Sequence, residues 1–108
     1  MLKLVNKSLT KVQEKFDAYQ KEFFPERTPE FFCLELNGEA GELANAEKKI
    51  WKGRPVPDET FSDEAADVLI ALMNYSNARK IDLGQAVADK LKKIEAKRKD
   101  LAEKGEEY

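Results

Sequence analysis

The chain has 108 residues, of which 42% are hydrophobic and 37% are charged, and its formal net charge at pH 7 is -2. The near-neutral charge gives no broad basic surface for nucleic acid, and no apolar run is long enough to span a bilayer. Histidine is absent, which excludes the usual zinc ligand and every Ser-His or Cys-His mechanism. This length suits one modest core, so residues 1–108 are predicted to form a single domain.

The single cysteine, Cys33, has no partner for an internal disulfide, which favours a reducing compartment. The N-terminal segment "MLKLVNKSLTK" is too polar for a signal peptide. The sequence therefore predicts a cytoplasmic protein, in which Cys33 is a small buried apolar residue.

Apolar residues at helical spacing predict four helices and few credible strands. The first helix is expected from about Leu9 to Phe23, with apolar side chains at i, i+4, i+7 and i+11. Thr28 and Pro29 form an N-cap followed by proline at the first helical position, so a second helix begins there and continues to about Trp51.

After a loop rich in glycine and proline, Thr60 or Ser62 can cap a third helix that continues to about Lys80. Its segment 68–73 is apolar nearly all round, which predicts the central and most buried helix.

Asp82, with a glutamine three residues later, matches a capping box and predicts a fourth helix that ends near Lys104. Four short helices make a thin core. The first helix is rich in aromatic residues, including Phe16 and Tyr19, whose rings are expected to pack against another copy of the chain. A homo-oligomer is therefore preferred over a monomer.

Two pairs of acids are each spaced three residues apart in the sequence. Glu39 and Glu42 belong to the second predicted helix, and Glu64 and Asp67 belong to the third. Residues i and i+3 share a helix face, so the two acids of each pair point in one direction. Glu35, one turn before Glu39, extends the first pair.

The ordinary interpretation of such pairs is a solvated helix face, but their surroundings favour a site. The residues between the acids are small (Ala40, Gly41, Ala65 and Ala66), which predicts that the two helices pack antiparallel and close. The second pair leads directly into the apolar run of the third helix. Four carboxylates that converge in this way would repel one another unless protons or a cation compensate.

A cluster of oxygen ligands without histidine or cysteine suits a hard divalent cation, with Mg²⁺ first and Mn²⁺ next. Mg²⁺ usually meets its substrate through phosphates, so metal-assisted attack of water on a phosphate is the expected chemistry. Lys93 and Lys97, four residues apart on the fourth helix, could face an anionic substrate, although a solvated basic face is the more common origin of such a pattern.

The motifs "GEAGELANA" and "DEAADVLIAL", followed by "KIDLGQAV", resemble the MazG-like all-α nucleoside triphosphate pyrophosphohydrolases. The family's hallmark is an ExxE pair on one helix and an ExxD pair on the next, and the similarity covers about Phe31 to Arg98. The resemblance implies an all-α bundle of four to five helices that is completed by oligomerisation, as a homodimer or a homotetramer.

The resemblance also implies an activity. Family members cleave a nucleoside triphosphate between its α- and β-phosphates, which gives the monophosphate and pyrophosphate, and many remove unwanted nucleotides. The four acids would hold Mg²⁺ and form the catalytic set, and a water molecule activated by the metal would attack the α-phosphorus. Lys93 and Lys97 fall on the family's phosphate-binding positions, and a deoxynucleotide is the expected substrate.

Two positions depart from the family pattern. Gly38 stands where the family often has an acid, and Glu35 is the candidate to replace it. Ile94 stands where the family often has asparagine or an aromatic residue. Trp51 and Arg54 are candidates for stacking on a base and reaching a phosphate, while Trp51 could instead cap the core.

Two alternatives remain open from the sequence. One is a metal-dependent nucleotide hydrolase that cleaves a different bond. The other is a non-enzymatic helical interaction protein with a vestigial metal site.

Overall fold

The computed structural model describes residues 1–108 and contains four α-helices and no strands, which confirms the all-α class. The helices are α1 (Leu2–Phe23), α2 (Pro29–Trp51), α3 (Asp58–Ala78) and α4 (Leu83–Glu103). None of the four combines the length and the apolar character needed to cross a membrane.

Two of the predicted helix starts are confirmed by their capping bonds. The Thr28 hydroxyl accepts a hydrogen bond from the Phe31 N–H at 3.2 Å, and Pro29 follows at the first helical position. The Asp82 carboxylate accepts from the Gln85 N–H at 3.2 Å. These bonds satisfy amide groups that the first helical turn leaves without partners.

The other two helix starts differ from the prediction. Helix α1 begins at Leu2 rather than near Leu9, and its Asn6 and Thr10 contact the start of α4. Helix α3 begins at Asp58 after Pro57 and has no side-chain cap, so the predicted cap at Thr60 or Ser62 is wrong.

Helices α2 and α3 form an antiparallel pair with the most extensive contact in the fold. Near the connecting loop, Lys49 and Thr60 line one groove. At the opposite end of the pair, Phe32 and Asn74 line another. The predicted antiparallel arrangement is thus observed.

The small residues between the acids do not mediate this packing, which corrects the sequence interpretation. A Cβ atom built on Gly41 would meet no heavy atom within 4 Å, and Ala40, Ala65 and Ala66 are exposed. Successive helical residues are turned by about 100°, so acids at i and i+3 that face a partner helix leave i+1 and i+2 on the outer side. Cys33 also lies on the exposed side of α2, so its predicted burial is wrong.

Helices α1 and α4 approach each other closely where α4 begins. Gly84 and Ala88 are buried in this contact. A Cβ atom at Gly84 would lie 2.3 Å from the main-chain oxygen of Asn6, so only glycine fits there.

A buried glutamine joins α1 to the turn between α3 and α4. The Gln13 amide donates to the Asn77 side-chain oxygen at 2.8 Å and to the Ile81 main-chain oxygen at 2.6 Å. Its side-chain oxygen accepts from the Leu83 N–H at 2.9 Å. These bonds direct α4 along α1 and away from the α2–α3 pair, with which α4 makes no substantial contact.

The four helices leave an open structure. Only nine of the 108 residues are buried, and the radius of gyration is 17.3 Å, against about 13 Å for a compact domain of this length. Helix α3 contributes four of the nine buried residues, in agreement with its predicted central position. However, Leu69 and Ile70 of its apolar run are exposed, because α2 covers only one side of α3.

Candidate metal centre

The acids of α2 and α3 meet along the contact between the two helices. Carboxylate oxygens of Glu39, Glu64 and Asp67 lie within 4.8 Å of one another. Glu42 is outside this group of three, but its carboxylate is a close neighbour of Glu64 and lines a groove with it. The structure therefore brings together three of the four predicted acids and places the fourth beside them.

Two oxygens of this acidic cluster are shielded from solvent and have no hydrogen-bond partner. They are Oε2 of Glu39 and Oε2 of Glu64. A buried carboxylate oxygen loses its hydration, so it needs a donor or a cation in compensation. The chain offers neither through its own side chains, since no ion pair involves any of the four acids.

The surroundings raise the pKa of the two half-buried acids. Burial is the main cause of the raised pKa of Glu39, followed by the negative charges of Glu42, Asp67 and Glu35. Burial is again the first cause of the raised pKa of Glu64, with the adjacent Glu42 carboxylate next. Burial and the neighbouring carboxylates thus both disfavour the ionised forms of these two acids.

The donor set suits a hard divalent cation. All four acids offer carboxylate oxygens, and the chain contains no histidine. Mg²⁺ and Mn²⁺ prefer oxygen ligands, and the unpartnered oxygens of Glu39 and Glu64 belong to side chains that converge with Asp67. Exposed Glu35 lies one turn before Glu39 and adds negative charge at the edge of the cluster.

Two adjoining grooves, together called the depression, lie between the acidic cluster and the loop end of the α2–α3 pair. Glu42 and Glu64 line a groove of about 350 Å³ that also includes Asn45 and Lys49. An adjoining groove of about 310 Å³ shares Asn45 and Lys49 with it. The other residues that line this second groove are Lys48, Lys52 and Arg54.

The family profile of the MazG nucleotide pyrophosphohydrolase domain matches residues 27–102, a range that contains both acid pairs. The chain belongs to this family. The match confirms the resemblance that the motifs indicated, and the family is one of metal-dependent enzymes that act on nucleoside triphosphates. Searches among curated proteins and among solved structures found no match.

Arg54 of this MazG-family chain lines the second groove, whereas Trp51 stands apart from the core. The contact of Arg54 with a phosphate stays a prediction. The indole of Trp51 is 86% exposed, so it does not cap the core of the single chain. Its stacking on a base stays a prediction.

Lys93 and Lys97 are not brought to the acids within one chain. Both are exposed on α4, which packs against α1, and the Lys97 ammonium lies 5.1 Å from the centre of the Tyr108 ring. Their contact with phosphate stays a prediction, and it would require an α4 helix supplied by a second copy.

The sequence interpretation missed the lysines of the depression. Lys49 follows Glu42 by seven residues, which is two helical turns, so the two share a face of α2. This seven-residue spacing was the signal that could have placed Lys49 near the acids. The signal is weak, because lysines are common at helix C-termini, where they interact favourably with the helix dipole.

Proposed function

We propose that the chain is a Mg²⁺-dependent nucleoside triphosphate pyrophosphohydrolase, which converts a (deoxy)nucleoside triphosphate and water into the monophosphate and pyrophosphate. The main support is the convergence of Glu39, Glu64 and Asp67, with two carboxylate oxygens that lack partners. Membership of the MazG family supports the same class of reaction. We further propose a deoxynucleotide substrate and a house-cleaning role, carried out by a single domain in the cytoplasm.

The chain's own residues would divide the work as follows. Glu39, Glu64 and Asp67 would hold the metal ion, and Glu42 beside them would complete the catalytic set. Bound Mg²⁺ would supply positive charge for the phosphates and lower the pKa of the attacking water. The exposed Trp51 indole is free to stack on a base.

The active form is proposed to be a homodimer or a homotetramer. The chain exposes 8399 Å², whereas a compact monomer of 12.3 kDa would expose about 6,100 Å². The excess is roughly 2,300 Å², which is in the range that one subunit buries in an obligate assembly. Large apolar residues on three helices contribute to it, including Phe23, Leu34 and Leu69.

The reaction is tested with a panel of nucleoside triphosphates and Mg²⁺. Release of pyrophosphate with an equal amount of monophosphate would support the proposal, and release of orthophosphate would indicate that a different bond is cleaved. If no triphosphate is hydrolysed, and Glu42→Gln and Asp67→Asn change neither Mg²⁺ binding nor stability, a non-enzymatic interaction protein would be the better account.

A further inference from the structure

The cationic end of the depression is a distinct feature of the surface. We call the groove lined by Asn45, Lys48, Lys49, Lys52 and Arg54 the basic groove. No acid lines it, and none of its four cations forms an ion pair, whereas four other cations of the chain do.

Another lysine-rich surface of the chain differs from the basic groove because acids line it as well. The groove along α1 is lined by four lysines, but Glu14 and Asp82 line it too. Carboxylates in that groove reduce the attraction for an anion. The basic groove therefore has the stronger arrangement for binding a multiply charged anion.

A helix-ending turn holds the basic groove in shape. The Gly53 N–H donates to the Ile50 oxygen, and the Arg54 N–H donates to the Lys49 oxygen, both at 2.9 Å. This is the Schellman arrangement, in which the residue after the helix adopts a left-handed conformation, and Gly53 has φ +78°. The second bond fixes the backbone of Arg54 against that of Lys49.

The basic groove adjoins the groove that contains two acids of the cluster. Asn45 and Lys49 line both this groove and the groove that contains Glu42 and Glu64. Seven residues separate Glu42 from Lys49, which is about 10 Å along the helix axis. If one phosphate group lies at the acidic cluster, the next two phosphate groups and an extended lysine side chain can together span this distance.

From this arrangement we infer that the basic groove binds the β- and γ-phosphates of the substrate, and therefore the pyrophosphate that leaves. The inference rests on the proposed function, in which the α-phosphate lies at the acidic cluster. It assigns a phosphate contact to Lys49 and Arg54 of the same chain, beside the contact predicted for Lys93 and Lys97 of an α4 helix from a second copy. Arg54 would supply a planar donor pair and Lys49 a point charge.

The test measures binding of inorganic pyrophosphate to the full chain in the presence of Mg²⁺, by calorimetry. Three double variants each remove two positive charges: Lys49→Gln with Arg54→Gln, Lys93→Gln with Lys97→Gln, and Lys7→Gln with Lys11→Gln as the matched control on α1. The first should weaken pyrophosphate binding by about tenfold or more, as expected for the loss of two charge-assisted contacts. The α1 control should change it less than about twofold, because its lysines lie outside the groove. A smaller loss in the α4 variant would report the separate contact predicted for Lys93 and Lys97.

Two further readouts separate a local effect from misfolding. The shift of the thermal midpoint by Mg²⁺ alone should be the same in the groove variant as in the wild type. The exchange Lys49→Arg with Arg54→Lys should retain most of the binding, because both charges remain.

Several results would overturn the inference. They are unchanged binding in the groove variant, a selective loss in the α4 variant, an equal loss in all three, and no pyrophosphate binding by the wild type. The proposed function is judged separately by turnover. Hydrolysis together with unchanged pyrophosphate binding in the groove variant would keep the function and discard the inference. Pyrophosphate binding through the groove without any hydrolysis would keep the binding site and discard the function.

Discussion

Glu39 on α2 and Glu64 on α3 each hold one carboxylate oxygen away from solvent with no hydrogen-bond partner, although the two side chains lie in one cluster. The packing of α2 against α3 puts them there, and no cation of the chain pairs with them. The fold thus keeps two acids in a position that destabilises the metal-free protein and suits a divalent cation.

Glu64→Gln should raise the thermal midpoint of the metal-free protein, because a neutral amide replaces a half-buried charge among other acids. Mg²⁺ should raise the midpoint of the wild type and have little effect on the variant. Thermal unfolding with and without Mg²⁺ measures both effects. Glu47→Gln, at an exposed position of α2, is the matched control and should respond to Mg²⁺ as the wild type does. A lower midpoint in the metal-free Glu64→Gln variant would contradict the account.

Asp82 predicts a specific dependence of stability on pH. Hydrogen bonds from the Gln85 N–H and the Thr10 hydroxyl hold the pKa of Asp82 below its ordinary value of 3.8. Its ionised form therefore stabilises the fold above that value, and this contribution is lost as the pH falls through the lower, folded-state pKa. Asp82→Asn keeps a capping side chain but does not titrate.

Urea unfolding of the wild type and of Asp82→Asn, between about pH 5 and pH 2, checks this linkage. The wild type should be the more stable at the upper end, and its advantage should shrink as the pH falls. A stability difference that stays constant over this range would show that the carboxylate of Asp82 is not responsible.

Lys80→Gly should stabilise the protein. Lys80 ends α3 in the left-handed region, with φ 58°, where a side chain is strained. Glycine removes that strain, but it also raises the conformational entropy of the unfolded state, which offsets part of the gain. The net effect should raise the free energy of unfolding by about 0.5–1 kcal/mol. Denaturant unfolding measures the change, and Lys80→Ala is the control that should gain nothing, because it keeps a Cβ atom.

Gly84→Ala should destabilise the protein by about 2–3 kcal/mol, because the new Cβ atom would overlap the Asn6 main chain at the α1–α4 contact. Gly38→Ala is the matched control, since a Cβ atom there meets nothing within 4 Å and alanine favours the helix. The unfolding free energies of the two variants should move in opposite directions. A tolerated alanine at position 84 would mean that α1 and α4 can separate without loss of stability.

Leu34→Glu should reduce the size of the assembly in solution. Leu34 is 76% exposed on α2, and a second copy is proposed to cover such residues. Sedimentation velocity should show a dimer or tetramer for the wild type and a smaller species for the variant, with an unchanged helical circular dichroism spectrum. A wild-type monomer at micromolar concentration would contradict the proposed assembly.

The convergence of the acids could be predicted because it depends only on local spacing and on the pairing of neighbouring helices. Successive residues of a helix are turned by about 100° around its axis. Gly41 and Ala65 therefore cannot lie in the contact that the acids face, so the prediction that small residues mediate the helix packing could have been rejected from the sequence. The direction of α4 could not be predicted. It depends on the bonds of Gln13 to the turn between α3 and α4, which join residues far apart in the sequence.

The basic groove could be predicted from the sequence only in part. Each of its lysines resembles an ordinary surface residue in the sequence. Their collection around Asn45 appears only when Gly53 folds the loop back, so that Arg54 joins Lys49. The single glycine was visible in the sequence as a helix terminator, but the grouping of charges that it creates was not.

The central claim is that water attacks the α-phosphorus of a nucleoside triphosphate at the acidic cluster. Hydrolysis in ¹⁸O-labelled water with Mg²⁺ tests it most directly, with the products analysed by mass spectrometry. The account predicts that the label enters the nucleoside monophosphate and that unlabelled pyrophosphate is released, with both products lost in Glu39→Gln and Asp67→Asn. Label in the pyrophosphate, or release of orthophosphate, would contradict it.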